Sequence, residues 1–431
     1  MTKIVLLNLP FGRLIQRDYG CPHEIKAAYS WPPVDLLLFG GAVRDTAALS
    51  YLDCLAGRFS WAECLGRIGA LRPDIVFTII SSLSLESDLR HLGELKRVVP
   101  AVRVWASGDV VFFTDRQFAA IDVLVRDLTN GEAIRRLVAG GAGQGAVEPG
   151  GGTTFQAGLP PHELITGYGY AMPYSRYRNI TSVLTNYGCP FHCTFCNSNG
   201  LPFRKRPVEE IVRELQYIQG LGIREVVFRD FTFTLSDTAE LCERIEANNI
   251  RLAWSCWTRV DTVDRELLRK MKAAGCYLIS YGIESGDDAI LAETGKALTM
   301  AQIKEAVSLT REAGLEVLVS IILGFPGDDV RRTISTLQRL DPDYVAVNLL
   351  EPRVGSRMAA ARPAPAADGA GRATPAVPAN LPALRAAVEK GFYLRPRKLA
   401  RYLLLALRSR QRLAIFLRNA VGLFRKWRRS R

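Results

Sequence analysis

Three cysteines within eight residues, Cys189, Cys193 and Cys196, constrain this chain more than any other feature. Their C-x3-C-x2-C spacing sets three sulfurs on one tight loop. The preceding Ser182–Gly188 reads as a short strand ending in a turn. Three thiolate ligands leave a metal centre with an open position, and an open position is where chemistry can happen. Two plainer readings compete. One is a zinc site of the three cysteines and His192, although His192 adjoins Cys193 and points awkwardly for a shared tetrahedron. The other is three unrelated buried thiols, which so tight a grouping argues against.

The 431 residues allow two or three domains with sizeable cores. Residues 1–140 alternate strand-like segments (4–9, 47–54, 74–80, 102–106, 123–126) with helical ones (34–44, 61–71, 86–98). This is the rhythm of a doubly wound, Rossmann-like parallel sheet. Ligands on such sheets bind beyond the carboxyl ends of strands, which makes Ser81, Ser82, Gly108 and Asp109 candidate ligand positions. A Gly-rich stretch, 141–160, reads as a flexible linker. Residues 161–352 then carry six strands, at 182–188, 225–230, 252–258, 277–284, 316–324 and 344–350, with helical patterns between them. Six βα units predict a partial (β/α)6 barrel with its chemistry at the carboxyl ends of the strands, where the cysteine loop falls. Pro and Ala dominate 353–382, a tether, and 383–431 forms a helical C-terminal extension.

The formal net charge of +13 is a property of that extension. Lys390–Arg431 holds 14 Lys/Arg and no Asp/Glu, so the body of the chain is nearly neutral. The nine cysteines show no motif-like pair outside the triplet. The odd count, with an N-terminus that reads as a strand, argues against a disulfide framework and for a reducing, cytoplasmic setting. No run reaches the roughly 18 uninterrupted apolar residues of a membrane span.

The cysteine spacing, with Phe195 just before the last cysteine, resembles the signature of radical SAM enzymes. The resemblance extends downstream in order. Phe228–Phe233 is similar to the segment whose backbone holds the amino group of S-adenosylmethionine, and Thr258–Asp261 follows the third strand. Tyr281–Gly286 is similar to the family's G-I-E-S-G stretch, which implies that Glu284 lies near the ribose. Ile321–Gly327 is similar to the segment that stacks on adenine. The resemblance therefore implies a 4Fe–4S cluster on Cys189, Cys193 and Cys196. It implies S-adenosylmethionine among Phe195, Asp230, Arg259, Glu284 and Gly324.

Trp31–Gly41 resembles the opening helix of cobalamin-binding domains in class B radical SAM enzymes, and Phe392–Pro396 the start of their C-terminal extension. This implies cobalamin in the first domain, near Ser81, Ser82 and Gly108. The D-x-H-x-x-G motif that supplies an axial ligand is missing; the nearest stretch, Asp88–Gly93, is misspaced and reads as helix. The family's paired glycines appear as Ser107-Gly108, and a turn near the domain end is reduced to Asn130–Glu132. A Rossmann-like domain that has lost its ligand is the competing reading.

The function implied is cleavage of S-adenosylmethionine to a 5′-deoxyadenosyl radical, with methylation, cyclisation or oxidation of an unactivated carbon. A flavodoxin or ferredoxin reductant follows. The alternatives are methylthiolation of RNA, a cobalamin-independent oxidoreductase, and a plain electron carrier. In the extension Leu413, Phe416, Leu417, Ala420, Phe424 and Trp427 share a helical face, with Arg418, Arg425 and Arg429 on the other side. That pattern fits peripheral contact with an anionic membrane and a lipid or isoprenoid substrate, or equally a helix packed on the barrel. Nucleic acid is not favoured, since no interleaving of aromatic and basic residues is evident.

Overall fold

The computed structural model describes residues 1–19, 22–25, 29–141, 144–351, 353–360 and 380–429. The first sheet has six parallel strands: β1 (Thr2–Asn8), β2 (Ala47–Asp53), β3 (Ile75–Ile79), β4 (Arg103–Ser107), β5 (Val123–Val125) and β6 (Gly145–Val147). Their order is β2-β1-β3-β4-β5-β6. In β1, Ile4 and Leu6 enter one hydrophobic cluster and Val5 and Leu7 another, so the sheet is buried on both faces. Helices α1 (Val34–Val43), α2 (Trp61–Leu71), α3 (Leu85–Val98) and α4 (Gly131–Ala139) supply that cover. Helix α1, apolar except for Asp35, is buried along its whole length, with Phe39 stacked on Phe77 at 3.7 Å.

Two expectations fail in this region. Residues 141–160 are not a free linker. Gly145–Val147 pairs with β5 as the sixth strand, Phe155 is buried, and Thr154 bridges Lys205. A Gly-rich backbone still carries its N–H and C=O groups, and a neighbouring sheet edge satisfies them. Cys54 and Cys64 form a disulfide, because the end of β2 and the first turn of α2 meet in one buried cluster. Cys21 lies outside the described residues.

The second sheet is sequential and parallel, β12-β11-β10-β9-β8-β7. Its strands are β7 (Thr181–Val183), β8 (Glu225–Phe228), β9 (Ala253–Thr258), β10 (Cys276–Glu284), β11 (Glu316–Leu323) and β12 (Tyr344–Leu349). Helices α5 (Val208–Gly220), α6 (Thr238–Ala247), α7 (Arg265–Ala273), α8 (Met300–Glu312) and α9 (Val330–Leu340) cross over between them. This is the open six-unit barrel read from the sequence.

The extension is α10 (Leu381–Tyr393), α11 (Pro396–Ala406) and α12 (Arg410–Arg429). Residues 361–379 of the Pro/Ala stretch lie outside the described residues. Helix α10 packs along the edge strand β12 and covers it. The Tyr393 hydroxyl donates to Val345 O (2.7 Å) and accepts from Val345 N–H (3.0 Å). Lys398 Nζ donates to Pro342 O (2.6 Å), and the Tyr402 hydroxyl to Asp343 O (2.5 Å).

Candidate active site

The cysteine loop leaves β7 through Gly188, whose φ is +72°. A Cβ there would lie 2.5 Å from Pro202 O, so only glycine makes the turn into Cys189. The loop is clamped from the barrel side. Thr194 N–H donates to Thr294 O (2.8 Å), and Thr194 O accepts from Met358 N–H (2.9 Å). Cys189 and Cys193 are buried and Cys196 is half-buried. All three border one cavity of about 680 Å³. His192 is exposed and does not border it, so the zinc reading loses its fourth ligand. Among the described residues, no group of three or more His, Cys, Asp or Glu side chains is arranged to hold a single metal ion.

The cavity runs between the domains. Strands β1 and β3 are neighbours at the point where strand order reverses, and the long loop after β1 leaves from this crevice. The loop is pinned by the fully buried Arg17, which pairs with Asp88 (2.8 Å) and donates to Leu9 O (2.7 Å). It thereby delivers Asp18, Tyr19, His23, Tyr29 and Trp31 to the cavity wall. Asp18 pairs with Arg229 from the end of β8, and the Arg229 guanidinium lies 4.5 Å from the ring centres of both Trp31 and Trp257.

Glu284 ends β10 at a bulge with φ +63°, a left-handed conformation rare for a side-chain-bearing residue. Lys296 holds it there. Its Nζ lies 2.5 Å from Glu284 Oε1 and 2.5 Å from Gly282 O. Lys296 O in turn accepts from Arg259 Nη2 (2.7 Å). Arg259 forks onto Asp261 (2.9 and 2.7 Å), covers the Phe191 ring at 3.8 Å, and reaches Cys193 Sγ at 3.8 Å. Burial pushes the Cys193 thiol up to about 11, against the pull of Lys296 and Arg259.

Asp230 follows β8. Its Oδ1 accepts from Thr185 N–H (2.7 Å) and Asn186 N–H (2.6 Å), while Oδ2 is buried with no partner. Burial raises this carboxyl to about 6. Phe195 borders the same cavity, edge-on to Phe325.

Residues 183–340 match the radical SAM superfamily. The chain is 29% identical over 391 residues to an uncharacterised methyltransferase of Pyrococcus horikoshii, covering 83% of this chain and 82% of that one. Two solved structures share the fold. The radical SAM methyltransferase TsrM of Kitasatospora setae, with cobalamin and a 4Fe–4S cluster bound, matches with a TM-score of 0.62 at 19% identity, over 86% of this chain and 82% of its own. The cobalamin-dependent radical enzyme OxsB, with aqua-cobalamin and S-adenosylmethionine bound, gives 0.68 at 13% identity, over 97% and 72%. Residues 183–340, with the cysteine loop at their start, are thus a radical SAM domain. Its two-sheet layout with a helical C-terminus is that of TsrM and OxsB.

The residues present fit the cofactors of a radical SAM enzyme. Three sulfurs share one cavity wall, and the cationic Arg259 and Lys296 stand beside them to offset thiolate charge. The unpaired, buried Oδ2 of Asp230 suits the ammonium of S-adenosylmethionine. Phe195, Asp230, Arg259 and Glu284 all border the cavity. Gly324 does not; it sits beneath Leu381 of α10, because the extension folds over the end of β11. Ser81, Ser82 and Gly108 lie at the carboxyl edge of the first sheet but do not border this cavity either. Ser81 Oγ meets Ser84 Oγ (3.0 Å), Ser82 holds Asp109 (2.5 Å), and Gly108 packs on Ile80. His91, on α3, packs on the Trp61 ring.

Sequence reasoning missed Lys296, Arg229 and Trp257. Lys296 and Trp257 carry no periodic or motif signal, and Arg229, though inside the Phe228–Phe233 segment, shows its role only where Asp18, Trp31 and Trp257 pack around it.

Proposed function

We propose that this radical SAM enzyme is a cobalamin-dependent methyltransferase acting on an unactivated carbon of an apolar, lipid- or isoprenoid-like substrate. One observation carries the reading. A single cavity is walled by the three cysteines, by the loop from the first sheet, and by α11 and α12 with Tyr402, Ile415, Phe416 and Trp427. The three cysteines, the loop of the first domain and an apolar face of the extension thus border one space. The relative of Pyrococcus horikoshii and TsrM, both called methyltransferases, support the reaction class.

The chain's residues suit cobalamin at the loop and not at the strand edge. Tyr19 and Trp31 border the cavity, and the Tyr19 hydroxyl and Trp31 Nε1 are buried with no partner among the described residues. Cobalamin is rimmed by amide groups that accept from such donors. When bound, cluster and S-adenosylmethionine supply the radical and cobalamin a transferable methyl group. The protein's work is positional. Arg259 and Lys296 set the charge beside the cysteines, Glu284 and Asp230 present carboxylates, and the extension keeps water from the reacting carbon.

Anaerobic reconstitution with cobalamin, titanium citrate and S-adenosylmethionine tests the proposal. Formation of both 5′-deoxyadenosine and S-adenosylhomocysteine is expected. 5′-Deoxyadenosine alone overturns methyl transfer and favours oxidation or cyclisation. Methylthiolation of RNA, the activity named for several relatives, is less favoured, since Cys54 and Cys64 of the first domain are tied in a disulfide and not free to hold a second cluster.

A further inference from the structure

Beyond the reacting carbon, the cavity has a mouth, and its rim is unusual. Leu399 and Phe424 line the cavity yet are 43% and 57% exposed. They begin two exposed apolar stripes at helical spacing. Leu399, Leu403 and Leu407 run along α11 and its end, and Leu417, Val421 and Phe424 along α12. Water-facing apolar side chains on two packed helices are a surface that awaits cover.

The helices themselves carry only cations, of which Arg395, Lys398 and Arg401 pair with Asp341 and Asp343 of the barrel. No Asp or Glu follows Glu389. A cleft of about 340 Å³ at the α11–α12 junction is lined by Arg176, Tyr177, Arg408, Ser409 and Arg412, and Arg412 also borders the main cavity. Farther along α12, Arg418 has Nε and Nη2 buried without partners, beside Arg58 and Arg178. Guanidinium groups gathered beside an apolar stripe match the chemistry of a phospholipid surface, with phosphate over acyl chain. Among the described residues no helix is long and apolar enough to cross a membrane. The contact is therefore one of lying on the bilayer.

We infer that α11 and α12 seat the cavity mouth on an anionic lipid bilayer, so that a lipid substrate passes from the membrane into the cavity without crossing water. This rests on the reading of the cavity as the substrate site. The two helices split their labour. Ile415, Asn419 and Trp427 are buried inward, with Trp427 Nε1 donating to Glu389 (3.1 Å), while the leucine stripes stay outside.

The test is flotation of reconstituted, full-length protein with vesicles of phosphatidylcholine alone, or of phosphatidylcholine with roughly one-third phosphatidylglycerol, at about 0.15 M salt. Binding to the anionic vesicles only is expected. Replacing two arginines, Arg408→Gln of the cleft with Arg410→Gln, exposed beside it at the start of α12, should weaken it about thirtyfold. The Leu403→Glu, Leu407→Glu pair should abolish it while cluster absorbance is unchanged. Three results overturn the inference: no vesicle binding by the intact protein, equal binding by the leucine variant, or binding of a fluorescent single-stranded RNA where vesicles fail. Cleavage of S-adenosylmethionine, read on the same samples, separates the two readings. Intact cleavage with no vesicle binding sinks the membrane contact alone.

Discussion

Glu284 and Lys296 form an ion pair at 2.5 Å with side chains 9% and 7% exposed, at a bulge where Glu284 is already strained. Two charges this close attract by about 7 kcal/mol at an effective dielectric near 20, most of which offsets their desolvation. Removing one partner leaves the other charge buried and alone, which costs ~3–5 kcal/mol. Glu284→Gln keeps the shape and deletes the charge, so it should lower stability by that amount. If Glu284 holds the ribose, as its family-like segment implies, the change should also weaken S-adenosylmethionine, since losing one charge-assisted hydrogen bond to a ribose hydroxyl costs ~1.5–3 kcal/mol, or roughly ten- to a hundredfold in affinity. The double variant Glu284→Gln, Lys296→Met removes both charges and should recover most of the stability but none of the affinity. Anaerobic urea unfolding gives the first quantity and titration calorimetry with S-adenosylmethionine the second. If the double variant is as unstable as the single one, the pair is not what holds the bulge. If Glu284→Gln binds S-adenosylmethionine normally, Glu284 is not at the ribose.

Other outcomes follow from the same geometry. Cys→Ala at Cys189, Cys193 or Cys196 should strip most iron and sulfide from the anaerobically reconstituted protein. The same change at Cys242 or Cys276, buried in the barrel core, should leave the iron content as it was. Zinc in place of iron would count against the cluster. Asp230, raised to about 6 by burial, should be charged and fully paired with a bound ammonium above that pH. As pH falls through about 6, affinity for S-adenosylmethionine should drop up to tenfold per unit, and Asp230→Asn should bind weakly with no such pH step. An unchanged step in the Asn variant would assign the titration elsewhere. At Gly108, φ is +122° and a Cβ would lie 2.0 Å from Ile80 O. Gly108→Ala should therefore destabilise the first domain by at least ~1–3 kcal/mol in denaturant. A neutral effect would mean that the strand ends part easily.

Local sequence determined the elements because local physics makes them. The helix expected at 61–71 and the strands expected at 225–230 and 252–258 carry their own periodicity, caps and flanking turns, and formed at 61–71, 225–228 and 253–258; α2, for one, is closed by a Ser60–Glu63 capping box. The cysteine loop was legible because its three sulfurs come from one turn, so spacing alone brings them together. Contacts between distant parts of the chain left no such trace. The Gly-rich stretch around Gly145 became a strand only because β5 offered an open edge, and Cys54 found Cys64 because α2 folds back on β2. Lys296 reached Glu284, and Arg229 settled between Trp31 and Trp257, through packing of units far apart in sequence. The C-terminal helix shows the division most clearly. Its amphipathic period and basic charge were written locally. Which of its faces turns inward depended on the barrel, whose edge strand and cavity rotated it to bury Ile415, Asn419 and Trp427 and leave Leu417 and Phe424 outside. Burial is a property of two surfaces meeting, and a sequence read in order displays only one of them at a time.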